Sequence, residues 1–306
     1  MSGPVTRVGV LGATGRIGAL LVERLGQRGV PVVALYRDAQ RAAGLPRNCE
    51  ARPVDLADPD SLRAALHDVD AAVSVVPPAL IPAFVAGLPT GLKRVVILAS
   101  ARRYTRFPDA RAAAVCQGEE AFARSGLPGV MLNPTMIYGA RGENNVQRVA
   151  EIVRRFGIVP LPLGGSSLMQ PIYVPDVVAC LEAGLFAPAA VGPPLVIAGP
   201  TAVTWAEFVR AIAAASGRGV RILPIPFALL RVAGWLSRHL PGIGAISDAQ
   251  VRRLLEDRDF AIEPMRQRLG IVPTSLAVGL AETFAAAAPP VAAVLPGAAP
   301  TMRERS

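Results

Sequence analysis

The chain has 306 residues, 52% of them apolar, with 32 basic against 23 acidic side chains and a formal net charge of +9. That length suits one large domain with an appended lobe. The positive charge is dispersed in short pairs, Arg102-Arg103, Arg154-Arg155 and Arg252-Arg253, which do not interleave with aromatic residues, so no nucleic-acid surface is expected.

No run of about 18 uninterrupted apolar residues occurs, which argues against a spanning helix. The N-terminus lacks a charged segment leading into an apolar core, so no signal peptide is expected. Cys49, Cys116 and Cys180 stand far apart, and His67 and His239 are the two histidines. No metal cluster or disulfide framework is predicted, and a reducing cytoplasm fits.

In chain order, Val5 to Leu11 reads as a buried strand ending at Gly12. Arg16 to Arg28 has helical spacing at Ile17, Leu20, Leu21 and Leu25, with Gly29 as its stop. Strands follow at 30–36 and 49–54. A helix capped by Asp58 runs through His67 with Pro59 in its first turn. A strand over 70–76 ends at Pro77-Pro78, a loose helix covers 82–88, and a strand covers 94–99. Next come a helix over 108–125 and a strand over 129–132. This alternation predicts a doubly wound α/β fold with a parallel sheet covered on both faces. Beyond Tyr138 the expectations are a helix over 144–156, a Pro/Gly loop over 157–167, a strand over 169–174, a helix over 175–186 and a strand over 194–198. From Thr204 helices dominate. The division expected is a nucleotide-binding domain of residues 1–156 plus 170–200, a substrate lobe of 157–169 plus 201–284, and a flexible tail over 285–306.

The chemistry-bearing motif is Gly12-Ala13-Thr14-Gly15-Arg16-Ile17-Gly18, directly after one strand and opening one helix. Gly12 permits the tight turn, Gly15 lets backbone approach a pyrophosphate, and Gly18 lets helix and strand pack closely. The helix N-terminus supplies N–H donors and a favourable dipole. An acidic residue at the end of the second strand would accept from a ribose 2′-hydroxyl and select NAD. Here the strand ends Leu35-Tyr36-Arg37-Asp38. A guanidinium at Arg37 matches a 2′-phosphate, with Arg16 as a second partner, so NADP(H) is favoured over NAD(H). The alternative is a solvated Arg37 with Asp38 turned toward the ribose. Asp55 suits an adenine amino group or the capping of a turn.

With that loop, Arg37, Val54-Asp55-Leu56 and Val69-Asp70-Ala71, the chain resembles the short-chain dehydrogenase/reductase superfamily. The closer likeness is to its extended and atypical branches of NAD(P)-dependent epimerases, dehydratases and NAD(P)H-binding regulators. The likeness continues through Val95 to Ser100, Asn133 to Gly139, and Gln170-Pro171-Ile172-Tyr173-Val174-Pro175-Asp176. It ends at Leu269-Gly270-Ile271-Val272-Pro273 and Gly279-Leu280. The resemblance implies a Rossmann-type fold and adds Leu56, Val75, Val76, Pro77, Ser100, Pro134 and Thr135 to the cofactor-binding residues.

Members of that superfamily use a Tyr and a Lys four residues later, the Lys lowering the Tyr pKa. By the spacing to Glu119 and Ser125-Gly126-Leu127, Arg111 stands at the Tyr position and Val115 at the Lys position. Lys93 is the single lysine, and no tyrosine precedes it by four residues. The dyad is therefore expected to be absent, and Asn133-Pro134 replaces the usual Arg-Pro. Three candidates remain. Ser100 would orient a substrate carbonyl or bond its own loop. Tyr104 would reach the nicotinamide side or lie half-buried, and Arg111 would bind an anionic substrate or be solvated. Tyr138 is expected to pack beside the cofactor, Glu119 and Glu120 to be surface residues, and Asp176 to favour a helix dipole.

Residues 226–240 fit a lid or core helix of the lobe, or a peripheral membrane contact. The expectation is an NADP(H)-dependent oxidoreductase or epimerase/dehydratase acting on a small-molecule substrate. The alternative is a non-catalytic NADPH-binding regulatory or assembly subunit with a protein partner.

Overall fold

A computed structural model describes residues 4–139, 144–226, 229, 252–253 and 255–287. Seven strands form one parallel sheet: β1 (Val8–Leu11), β2 (Val32–Tyr36), β3 (Glu50–Pro53), β4 (Ala71–Ser74), β5 (Arg94–Leu98), β6 (Gly129–Pro134) and β11 (Leu195–Ile197). Their spatial order is β3-β2-β1-β4-β5-β6-β11. β1 and β4 are buried along their whole length, as expected of central parallel strands covered on both faces. Register pairs Leu11 with Leu35 on one side and with Ser74 on the other. The doubly wound expectation therefore holds, with the reversal of strand order at β1/β4.

Helices α1 (Arg16–Gln27) and α7 (Val174–Phe186) cover one face. Their Leu21, Leu25, Val177 and Leu181 pack with Val10, Val73 and Val130. On the other face α3 (Pro59–Ala65) and α4 (Ile81–Ala86) bring Leu62, Ile81 and Phe84 against Leu35, Val95 and Met131. Each such fully buried side chain contributes roughly 1.5–3 kcal/mol. Helix starts follow local chemistry: Asp58 accepts from Asp60 N–H at 3.0 Å and Asp109 from Ala112 N–H at 3.0 Å. Helix α5 (Ala110–Ser125) ends at Gly126, whose φ of +64° suits glycine.

The remaining strands pair in two-stranded sheets: β7 (Ile137–Tyr138) with β10 (Ile172–Tyr173), β9 (Leu168–Met169) with β12 (Val203–Thr204), and β8 (Ile158–Pro162) with β13 (Arg221–Ile225). The expected Pro/Gly loop over 157–167 is in part β8, which pairs in parallel with β13. Pro160 and Pro162 weaken the local strand signal, and the partner strand comes much later in the chain. Helices α6 (Asn144–Phe156) and α8 (Trp205–Ala215) pack together, and α10 (Leu276–Ala287) joins them around Tyr138, Tyr173 and Phe208. Thus α6, read from sequence with the nucleotide domain, packs in one apolar cluster with α8 and α10. Helix α9 (Glu263–Leu269), read with the lobe, buries Met265 and Leu269 in the main core beside α7 and β11. Helix α10 continues through Ala287, so the expected tail does not begin at Ala285.

Candidate functional site

All seven strands run the same way, so Gly12, Val75, Ser100 and Thr135 emerge at one edge of the sheet, after β1, β4, β5 and β6. Gly12 has φ +85°, and its turn closes through Gly15 N–H donating to Gly12 C=O at 2.9 Å. A Cβ on Gly12 would stand 3.0 Å from Val75 Cγ2. One on Gly18 would overlap the Gly12 carbonyl and lie 2.9 Å from Ala13 Cα, so α1 rests directly on the loop backbone. Gly15 begins α1 without a side-chain cap, and the first turn holds no acidic residue. An uncapped helix start of this kind leaves backbone N–H groups and the positive end of the helix dipole available to an anion. Ala13 is buried, while Thr14, Gly15 and Ile17 are half-buried and Arg16 is exposed.

At the end of β2 the two candidate ribose partners separate. Asp38 accepts from Gln40 N–H at 2.9 Å and caps the short helix α2 (Ala39–Ala42). Arg37 is exposed and forms no hydrogen bond or ion pair among the described residues. Asp55 Oδ1 accepts from Ala57 N–H at 2.9 Å, the turn-closing role, while Leu56 packs on the apolar core. Val75 and Val76 line the back of the glycine turn, and Pro77 is exposed beyond them. Pro134 pairs with Ile197, and Thr135 N–H donates to Ile197 C=O at 3.0 Å. The Thr135 hydroxyl donates to the Gln170 carbonyl.

Ser100 lies at this edge, its Oγ accepting from Arg102 N–H at 3.2 Å to start the turn Ala101–Tyr104. Tyr104 is exposed, its ring edge-on to Phe260 at 5.8 Å. Arg111, in the first turn of α5, is exposed, and Val115 one turn on is buried. Lys93 precedes β5 at the opposite edge, pairing with Asp70 and donating to the Pro4 carbonyl at 3.0 Å.

Residues 12–146 match the family model of NAD(P)H-binding proteins. Over that stretch the chain is similar to NAD(P)H-binding proteins. An NAD(P)H azoreductase from Xenophilus azovorans is 28% identical over 225 residues, covering 71% of this chain and 76% of that protein. Among solved structures, an NADPH-dependent quinone oxidoreductase from Escherichia coli, complexed with NADPH, matches with a TM-score of 0.71 at 21% identity. That match covers 90% of this chain and 99% of the other. A nucleoside-diphosphate-sugar epimerase from Staphylococcus aureus matches with a TM-score of 0.70 at 16% identity, over 90% and 100% of the two chains.

The structure also corrects several residue expectations. Glu119 is not a surface residue; it is 8% exposed and joins Asn133 Nδ2 at 2.9 Å and Arg103 Nη1 at 2.8 Å. Asn133 Oδ1 in turn accepts from Ser100 N–H at 3.2 Å. The chain Arg103–Glu119–Asn133 thus supports the Ser100 loop, which no local pattern announced. Glu120 is exposed, as expected. Tyr138 is fully buried in the lobe core against Tyr173 and Gly279, where burial pushes its hydroxyl above the usual tyrosine range. Asp176 does more than meet a dipole: its carboxylate accepts from Thr274 N–H at 2.8 Å and Thr274 Oγ1 at 2.9 Å, binding the chain after α9 to α7. Buried Glu182 on α7 receives Arg24 and Arg28 of α1, a clamp unseen in the sequence.

Among the described residues no group of His, Cys, Asp and Glu is arranged to hold a metal ion, and no helix is long and apolar enough to cross a membrane. Apart from Pro226 and Leu229, the segment 226–240 lies outside the described residues.

Proposed function

We propose that this protein is an NADP(H)-dependent reductase of small planar electron acceptors, of the quinone or azo class, working without the Tyr-x-x-x-Lys dyad. One observation carries the cofactor choice: Arg37 is exposed and unpaired among the described residues, while Asp38, its rival for the ribose, is spent on capping α2. The uncapped start of α1 holds the pyrophosphate, and Arg37 with Arg16 meets a 2′-phosphate. When bound, the reduced nicotinamide supplies a hydride.

The acceptor class follows from what the ligand edge lacks. Arg111 is exposed and Val115 buried at the two dyad positions, and Lys93 is at the far edge. Sugar-hydroxyl chemistry needs a strong general base there. A reduced quinone or azo group takes its protons from water, so it needs only positioning. The names of the azoreductase relative and of the quinone oxidoreductase neighbour support that class. Ser100 and Tyr104 are proposed to contact the acceptor. The three free thiols suit a reducing cytoplasm, and the dispersed arginines make a small molecule, rather than nucleic acid, the partner.

The test follows NADPH absorbance under anaerobic conditions with a naphthoquinone, an azo dye and a nucleotide sugar. Oxidation with the first two, faster with NADPH than with NADH, is expected. The second reading, a non-catalytic NADPH-binding regulatory or assembly subunit, is favoured by the buried Val115 where a lysine belongs. It would stand if NADPH binds tightly and no acceptor is reduced.

A further inference from the structure

We infer that Tyr104 is a catalytic residue whose hydroxyl hydrogen-bonds the reduced acceptor, and that Arg103 positions it. This rests on the reductase reading above. Tyr104 ends the turn that follows Ser100 and is 44% exposed, so it stands at the ligand edge, past the end of β5. Phe260 fixes one side of its ring, edge-on at 5.8 Å. Phe260 N–H in turn donates to Oε1 of buried Gln170 at 2.7 Å. The Gln170 carbonyl accepts from the Thr135 hydroxyl, just past the end of β6. Tyr104 is thus tied to the ligand ends of both β5 and β6. One strand, β4, separates β1 from β5, so the glycine turn and the Ser100 loop are about 10 Å apart, within the span of one dinucleotide.

The Arg103 guanidinium lies 5.5 Å from the centre of the Tyr104 ring. It is anchored on α5: Nη1 pairs with Glu119 at 2.8 Å and reaches Cys116 Sγ at 3.8 Å. Glu119 is itself buried, its other oxygen accepting from Asn133 Nδ2. Burial pulls Arg103 down, but Glu119, Cys116 and Tyr104 beside it outweigh this and hold it above the ordinary arginine value. A fixed cation therefore sits against the phenol, while the neighbouring Thr135 hydroxyl has its proton engaged by Gln170. Hydride transfer to a quinone or azo group leaves negative charge on an oxygen or nitrogen of the acceptor. A phenol O–H donated to that atom stabilises the charge, and a preorganised cation beside the phenol adds to the effect. The acceptor gains a hydride as the reduced nicotinamide is oxidised, and a proton from water. Tyr104 keeps its own proton throughout.

The experiment measures kcat and KM for menadione with NADPH in wild type, Tyr104→Phe, Arg103→Ala and Arg103→Lys. Tyr104→Phe keeps the ring against Phe260 and is expected to lower kcat about tenfold to a hundredfold, with KM little changed. Arg103→Ala is expected to lower kcat about tenfold, and Arg103→Lys, which keeps the charge, to recover most of that loss. An unchanged kcat in Tyr104→Phe overturns the inference while leaving the reductase reading intact. A second readout needs no turnover: binding of the oxyanion 4-nitrophenolate to the NADP-saturated protein, followed by its yellow absorbance. Binding weakened about tenfold by Tyr104→Phe and by Arg103→Ala, and less by Arg103→Lys, supports the assignment. Absence of binding in wild type, or equal binding in all four proteins, overturns it, whether or not any acceptor is reduced.

Discussion

Asn133 Nδ2 donates to Glu119 Oε1 at 2.9 Å beneath the Ser100 loop, and both side chains are buried. Glu119 also pairs with the partly exposed Arg103, so removing its carboxylate leaves a buried amide and a guanidinium without their acceptor. Glu119→Ala is expected to lower unfolding free energy by about 2 kcal/mol in urea titration. Glu119→Gln keeps one acceptor oxygen and should lose less. Equal stability of Glu119→Ala and wild type would contradict the bracing role.

Gly18 admits no Cβ without displacing the Gly12 carbonyl. Gly18→Ala is therefore expected to push α1 off the loop, costing about 1–3 kcal/mol and weakening NADPH binding at least tenfold by fluorescence titration. Gly29→Ala serves as contrast: φ there is +71° but no atom lies within 4 Å, so its cost is strain without loss of the cradle.

Arg37→Glu replaces the sole charge offered to a 2′-phosphate at the end of β2. NADPH affinity should fall about tenfold to a hundredfold, while NADH affinity stays or improves. A larger thermal shift with NADH than with NADPH in the wild type would overturn the NADP assignment.

Acid stability should reflect the edge of the sheet opposite the cofactor. Hydrogen bonds from Arg52 hold Asp68 down to about 2, and Lys93 with Thr6 holds Asp70 well below the usual carboxylate range. Both folded-state values are depressed, so their stabilisation is complete above the ordinary carboxylate pKa of about 4. It is lost as pH falls from there through about 2. Asp70→Asn should flatten that acid dependence between those limits in thermal melts. An unchanged slope would show that Asp70 contributes nothing to it.

Much of the cofactor half was legible because its signals are short-range. Gly12, Gly15 and Gly18 share one turn, Arg37 follows five residues of strand, and Asp58 and Asp109 cap helices two or three residues ahead. The longer-range contacts were not legible, because their groups meet across long separations. Glu119 finds Asn133 on the next strand, Glu182 finds Arg24 and Arg28 from the first helix, and Glu256 finds Thr105 and Arg106. A glutamate that reads as solvated in sequence becomes buried once a distant arginine or amide offsets its desolvation.

The sequence by itself determined that a strand–glycine turn–helix unit exists, that an arginine follows the second strand, and that one lysine, Lys93, is available to the whole chain. Only the tertiary structure decided that Asp38 is a helix cap, that Lys93 lies at the opposite edge from Ser100, and that Glu119 is buried against Asn133. Local backbone chemistry sets the first group. The second depends on which ends of parallel strands share an edge, a property of the folded sheet.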